Sequence, residues 1–124
     1  MTSIQTLIDT ATRALVDVNP GSITPDQLNL SRQTLESLEV NDAIDQYWEN
    51  LPEKPENERD LTEWEKQMHQ LGKEINHQLH GFNEELSRVK QLRNTLGLPA
   101  LDTIVSAAQE ISRPLFNFTA QLND

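Results

Sequence analysis

Three polar side chains on one face of a predicted helix have the residue types and spacing of a metal site. His77, His80 and Glu84 recur at intervals of three and four residues, which brings two imidazoles and a carboxylate to one side of a helix. Measured from the apolar Ile75, however, they fall between about 140° and 200° around the helix axis, opposite the side that packs into a core. A site open to water and without supporting contacts binds metal weakly, so we expect no metal ion here.

The rest of the sequence offers little for catalysis. The chain has no cysteine, which excludes thiolate nucleophiles and cysteine-ligated metals, and its four glycines form none of the phosphate-binding or nucleophile-elbow motifs. Carboxylates are abundant, but carboxylates exposed to water make poor general acids. We therefore predict a protein that is not an enzyme, with no catalytic residues and no cofactor.

Acidic residues dominate the charge and cluster in the middle of the chain. The net charge is −10, from 20 acidic and 10 basic residues. This charge disfavours direct binding to nucleic acid or to an anionic membrane. Between residues 36 and 65, only Lys54 and Arg59 oppose eleven acids. These acids are Glu36, Glu39, Asp42, Asp45, Glu49, Glu53, Glu56, Glu58, Asp60, Glu63 and Glu65.

This acidic segment, residues 36–65, has three interpretations. It is a solvated face that keeps the protein soluble, a docking surface for a basic segment of a partner protein, or a decoy that imitates the phosphates of DNA. A decoy needs rigidly placed carboxylates, and half of the acids are expected on a loop, so mimicry is the weaker functional interpretation. The acidic surface that we single out is formed by Glu36, Glu39, Asp42 and Asp45.

Large aromatic side chains are the candidate anchors of a partner surface. Trp48, Trp64 and Phe116 bury much area at small entropic cost when they are bound, and such residues dominate contact energies. The two tryptophans also lie on apolar stripes, so core packing is the competing explanation. The predicted partner-binding residues are Trp48, Glu49, Glu63, Trp64, Glu65 and Phe116.

Apolar residues recur at intervals of three and four through most of the chain, which predicts an all-α protein. A Thr24-Pro25 capping pattern starts the second helix. Apolar residues on the two sides of Val40 would face opposite directions on one continuous helix, so a break is expected there, with Asn41 capping a third helix. The three predicted helices within residues 1–51 cover residues 3–18, 25–39 and 42–51.

The second half of the chain predicts a long antiparallel helical hairpin over residues 61–124. An exposed connector at 52–60, with two prolines and no apolar side chain, separates it from the shorter helices. The first arm is one helix over residues 61–96, capped by Asp60 and ended by Gly97. Apolar stripes with a spacing near 3.5 residues suit coiled-coil-like packing between the arms.

The apolar stripe of the first arm is longer than the second arm can cover. The three shorter helices, a second copy in a homodimer, or a client protein must cover the remainder. We expect residues 1–124 to form a single all-α domain, a helical bundle of about five helices.

Shape and charge together predict a small acidic helical interaction protein that is not an enzyme. It would act as an adaptor, a small chaperone or an inhibitor, and its partner would be a protein with a basic segment. The alternative is a DNA-mimicking inhibitor of a basic nucleic-acid-binding protein, and a helical-bundle metal-binding protein is the third choice. No secretory signal and no membrane span are expected, so the predicted location is the cytoplasm.

Overall fold

A computed structural model describes residues 3–122, and this range contains helices and no strand. The predicted all-α class is therefore confirmed. Residues 1–2 and 123–124, which the predicted domain includes, lie outside the described residues. The helices are α1 (Ile4–Val16), α2 (Pro25–Glu36), α3 (Val40–Asn50), α4 (Glu58–Leu96) and α5 (Pro99–Leu122), with a 3-10 turn at Pro20–Ser22.

The start of α2 follows the predicted capping pattern. The Thr24 hydroxyl accepts a hydrogen bond from the Gln27 amide at 3.2 Å, and Pro25 occupies the first helical position, where its missing N–H costs nothing. The helix ends at Glu36, three residues before the predicted end at Glu39. The backbone N–H of Ser37 bonds to the Gln33 carbonyl and closes the last turn.

The predicted starts of α3 and α4 are wrong by two or three residues. The third helix begins at Val40, and Glu39, not Asn41, stands at its cap position without a side-chain hydrogen bond. An earlier start places the Val40 side chain in the core, where only 8% of it stays exposed. The long helix begins at Glu58, and Asn57 caps it instead of the predicted Asp60. The Asn57 side chain accepts a hydrogen bond from the Asp60 amide at 2.8 Å. The exposed connector is correspondingly shorter than predicted.

The long helix α4 is continuous over 39 residues, through Gly81. At 1.5 Å per residue it is about 58 Å long. Gly97 adopts the left-handed conformation, with φ of 65°, and its N–H bonds to the Arg93 carbonyl, so the predicted helix end is confirmed. The buried residues of α4 recur every three or four positions, and they are Met68, Gly72, Ile75, Leu79, Phe82, Leu86 and Val89.

Four helices pack in a ring around one buried apolar cluster. The arms α4 and α5 pack against each other as the predicted hairpin, α1 packs on α4, α2 packs on α5, and α1 and α2 close the ring. The third helix packs against α1 and α5. The part of the apolar stripe of α4 from Met68 to Val89 is thus covered within the chain by α1 and α5.

None of the helices described over residues 3–122 combines the length and the apolar character that a membrane crossing needs.

One arginine joins α1 to α4 by polar contacts. Arg88 donates hydrogen bonds from its guanidinium to the carbonyls of Leu15 and Val18, each at 2.7 Å, at the C-terminal end of α1. Its Nε donates to the Glu85 carboxylate at 2.8 Å, which holds the guanidinium in place. Leu15 lies in the last turn of α1, and its carbonyl also accepts the Val18 N–H at 3.0 Å, whereas Val18 follows the helix. The C-terminal end of a helix carries partial negative charge, so a cation is a favoured partner there.

We expect Arg88→Met to lower the free energy of unfolding by about 2 kcal/mol, because it removes two charge-assisted hydrogen bonds and takes away the arginine partner of the Val18 carbonyl. Urea denaturation measures this change. The control is Arg32→Met, which removes an exposed ion pair with Glu36 on α2 and is expected to cost less than about 1 kcal/mol. Equal losses in the two variants would contradict a special role for Arg88.

Candidate functional site

An acidic groove lies where the junction of α2 and α3 meets the middle of α5. Its volume is about 630 Å³. Three of the four residues of the predicted acidic surface line it, namely Glu36, Glu39 and Asp42, and Glu110 of α5 adds a fourth carboxylate. Asp45 is exposed one turn further along α3 and does not line the groove. We call this site, with its four carboxylates, the acidic groove.

The floor of the acidic groove is apolar. Leu35, Val40 and Ile111 are buried beneath it, and the half-buried Leu38 and Ala107 remain partly open to solvent. This mixture arises because the chain breaks its helix at residues 37–39. The break turns the apolar faces of α2 and α3 inward and leaves the acids of the junction at the rim.

Among the described residues, a cation partner is found for one rim carboxylate. Arg32 bonds to Glu36 at 2.7 Å, one helical turn away on α2. Within residues 3–122 no ion pair engages Glu39, Asp42 or Glu110. The groove therefore presents uncompensated negative charge around an apolar floor, an arrangement that attracts a cation bearing an apolar neighbour.

The acids of residues 36–65 are exposed, and most of them lie on helices. All eleven acids of residues 36–65 are exposed. The expectation that half of them lie on a loop is wrong, because α4 begins before Asp60 and takes several of them into its first turns. Only Glu39, Glu53 and Glu56 lie outside the helices.

Two predicted anchors meet in a separate aromatic cleft. Trp48, Trp64 and Glu65 line a cleft of about 370 Å³ beside the end of α5, together with Leu51, Met68 and Leu122 among others. The Trp64 indole donates to the Pro52 carbonyl at 3.0 Å, so the connector is fastened to α4 there. The Trp48 ring is 38% exposed and packs edge-on against Phe118, with the ring centres 5.3 Å apart.

The other predicted partner-binding residues lie elsewhere. Glu49 is exposed on α3 and lines neither cleft nor groove. Glu63 lies in an open recess with Arg59 and Asp60 at the start of α4. Phe116 is 65% exposed in a third groove, between α4 and α5. The structure thus separates Phe116 from the two tryptophans.

The histidine pattern lies on the solvent face that the helical phase predicts. His77, His80 and Glu84 are exposed, and His80 Nε2 lies 3.0 Å from a Glu84 carboxylate oxygen. Over residues 3–122 no group of three or more metal-binding side chains converges.

Sequence reasoning missed Glu110 and Leu38 as residues of the acidic groove. Glu110 lies on the polar face of α5 and is 68 residues beyond Asp42 in the chain. The residues next to Glu110 in the sequence give no sign of this role, because its place at the rim depends on how α5 packs against the α2–α3 junction.

Comparison of the chain with protein-family models, with curated proteins and with solved structures found no match.

Tyr47, whose ring contacts Trp48 of the aromatic cleft, has a hydroxyl without a hydrogen bond among the described residues. Its ring packs edge-on against Phe118, with the ring centres 5.1 Å apart. The hydroxyl oxygen is buried and makes no hydrogen bond within residues 3–122. Burial, and to a smaller degree the negative charge of Glu74, raises the pKa of Tyr47 above its ordinary value of 10.0.

We expect Tyr47→Phe to leave the free energy of unfolding unchanged or to raise it by up to about 1 kcal/mol, because it removes a buried hydroxyl without a partner. The folded state holds the phenolic proton to higher pH than the unfolded state does. The stability of the wild type therefore falls as pH rises from about 10 towards the folded pKa, and the variant lacks this contribution.

Urea denaturation of both proteins, from about pH 8 to about pH 11, measures the difference. Ultraviolet absorbance of the tyrosinate follows the same group directly, because Tyr47 is the one tyrosine of the chain. A loss of more than about 1 kcal/mol in Tyr47→Phe at neutral pH would contradict the prediction, because it would mean that the hydroxyl has a stabilising partner.

Proposed function

We propose that the protein is not an enzyme and acts as an adaptor, small chaperone or inhibitor that binds a partner protein through the acidic groove. One observation carries the proposal: four carboxylates, from Glu36, Glu39, Asp42 and Glu110, surround a partly open apolar floor. A basic amphipathic segment fits such a groove. Its apolar side chains would be removed from water as they pack on the floor, and its Lys or Arg side chains would pair with the rim carboxylates.

The wider acidic surface supports the same proposal through long-range attraction. The further acids of α3, Asp45 and Glu49, are exposed on the helix that begins at the groove, and they add to its negative potential. Such a field speeds the encounter with a basic partner, and salt weakens it over a Debye length of about 8 Å at physiological ionic strength. Binding should therefore be fast and sensitive to salt.

A DNA-mimicking inhibitor is the second candidate, and the helical placement of most of the acids favours it, since a decoy needs rigid carboxylates. The spacing along α3 favours the first candidate. Asp42, Asp45 and Glu49 follow each other at about 4.5 and 6 Å along the helix axis, whereas the phosphates of one DNA strand advance by a constant interval of about 3.4 Å. An unequal, wider spacing suits discrete ion pairs with a peptide better than imitation of a duplex.

We expect neutralisation of the rim to weaken partner binding by at least about tenfold, because it removes charged pairs next to a desolvated floor. The variant combines Glu39→Gln, Asp42→Asn and Glu110→Gln. Affinity capture from a lysate of the source organism identifies the partner, and calorimetry with the purified partner measures both affinity and salt dependence.

The matched control combines Glu49→Gln, Glu53→Gln and Glu56→Gln, which removes the same charge outside the groove. The control should keep most of the affinity, and circular dichroism should show equal helix content in both triple variants. Equal weakening in the two variants, or failure to capture any protein, would contradict the proposal. Displacement of the partner by duplex DNA would instead favour the second candidate.

A further inference from the structure

A second groove of opposite charge lies between α4 and α5. Its volume is about 460 Å³, and its charged lining residues are Lys90 and Arg113, with no carboxylate. Measured around the axis of α5, the residues that line it lie about 140° from those that line the acidic groove. We call it the basic groove. It is unexpected in a chain whose acids outnumber its bases two to one.

The basic groove carries the most exposed large apolar side chain of residues 3–122. Phe116 is 65% exposed at one end, and the buried Leu86 also lines the groove. Neither Lys90 nor Arg113 takes part in an ion pair within residues 3–122. The groove therefore combines an open apolar contact with two cations that lack a counter-charge in the described part of the chain.

The polar neighbours of the basic groove add hydrogen-bond donors. Asn83 uses its side-chain carbonyl to accept from the Ser112 hydroxyl at 3.0 Å, so its amide N–H groups stay free of that bond. An Arg guanidinium binds a carboxylate with two parallel hydrogen bonds, and Lys binds it as a point charge. Donors and cations together select an acidic ligand.

We propose that the basic groove binds an acidic amphipathic helix of a partner protein, independently of the acidic groove. Phe116 and Arg113 are one helical turn apart on α5, and Lys90 lies across the groove, further towards the turn at Gly97. A helix laid along the groove would place a large apolar residue on Phe116 and carboxylates on its following turns against Arg113 and then Lys90. Two cations neutralise too few phosphates to hold nucleic acid against a net charge of −10.

The probe is a synthetic amphipathic peptide with one leucine, followed on the same helical face by two glutamates. Binding to the full chain is followed by backbone amide resonances, and we expect shifts at the residues of the basic groove. We expect Phe116→Ser and Arg113→Gln each to weaken this binding by about tenfold. A peptide with lysine in place of glutamate should cause no shifts in the basic groove.

Two control variants match these changes on other surfaces. Leu30→Ser alters a side chain that is 57% exposed on α2, and Arg59→Gln removes a cation at the start of α4. Both should bind the peptide as the wild type does, and so should the variant with a neutralised acidic groove. Circular dichroism should show equal helix content in all variants.

Three results would overturn the proposal. The first is the absence of shifts at the basic groove, and the second is a peptide affinity that Phe116→Ser and Arg113→Gln leave unchanged. The third is a doubled mass in light scattering that Phe116→Ser returns to the monomer, since a second copy would then be the occupant.

Discussion

The apolar stripe of α4 is the constraint on which the remaining structure depends. Its buried side chains, from Met68 to Val89, face two neighbours at once, α1 on one side and α5 on the other. The covering of this stripe sets the positions of both helices, and α2 then closes the ring against them. Arg88 reinforces the α1 side by binding the carbonyls at the end of α1, so polar contacts and packing agree on one arrangement.

The same constraint leaves one end of α4 without α5 as a neighbour. The cleft in which Met68 and His69 meet Gln121 and Leu122 marks the end of α5, and α4 continues beyond it for about ten residues towards Glu58. Leu51 and the connector cover part of this end, where the Trp64 indole bonds to the Pro52 carbonyl. The remaining surface at this end of α4 carries carboxylates, because charged side chains are stable in contact with water and need not be buried.

Two local features and the packing of α4 on α5 were predicted correctly from the sequence, whereas several helix boundaries and the full lining of the acidic groove were not. Thr24 and Gly97 act through hydrogen bonds within a few residues, and both predictions were right. The predicted start of α4 was wrong because Asn57 and Asp60, three residues apart, are both good cap residues. In the structure the Asn57 side chain accepts the hydrogen bond from the Asp60 amide and caps the helix. The acidic groove could be predicted only in part, since Glu110 reaches its rim through the packing of α5.

The two proposed binding surfaces lie on different sides of α5 and carry opposite charges. The axis of α5 runs between a groove lined by carboxylates and one lined by cations, and a helix with its side chains is about 10 Å thick. At physiological salt the Debye length is about 8 Å, so neither potential cancels the other at its own surface. The net charge of −10 therefore does not describe the local potential at the basic groove. If the two proposals hold, each groove selects its partner by its local charge, and one small bundle offers opposite signs to two partners at once, as bridging in an adaptor requires.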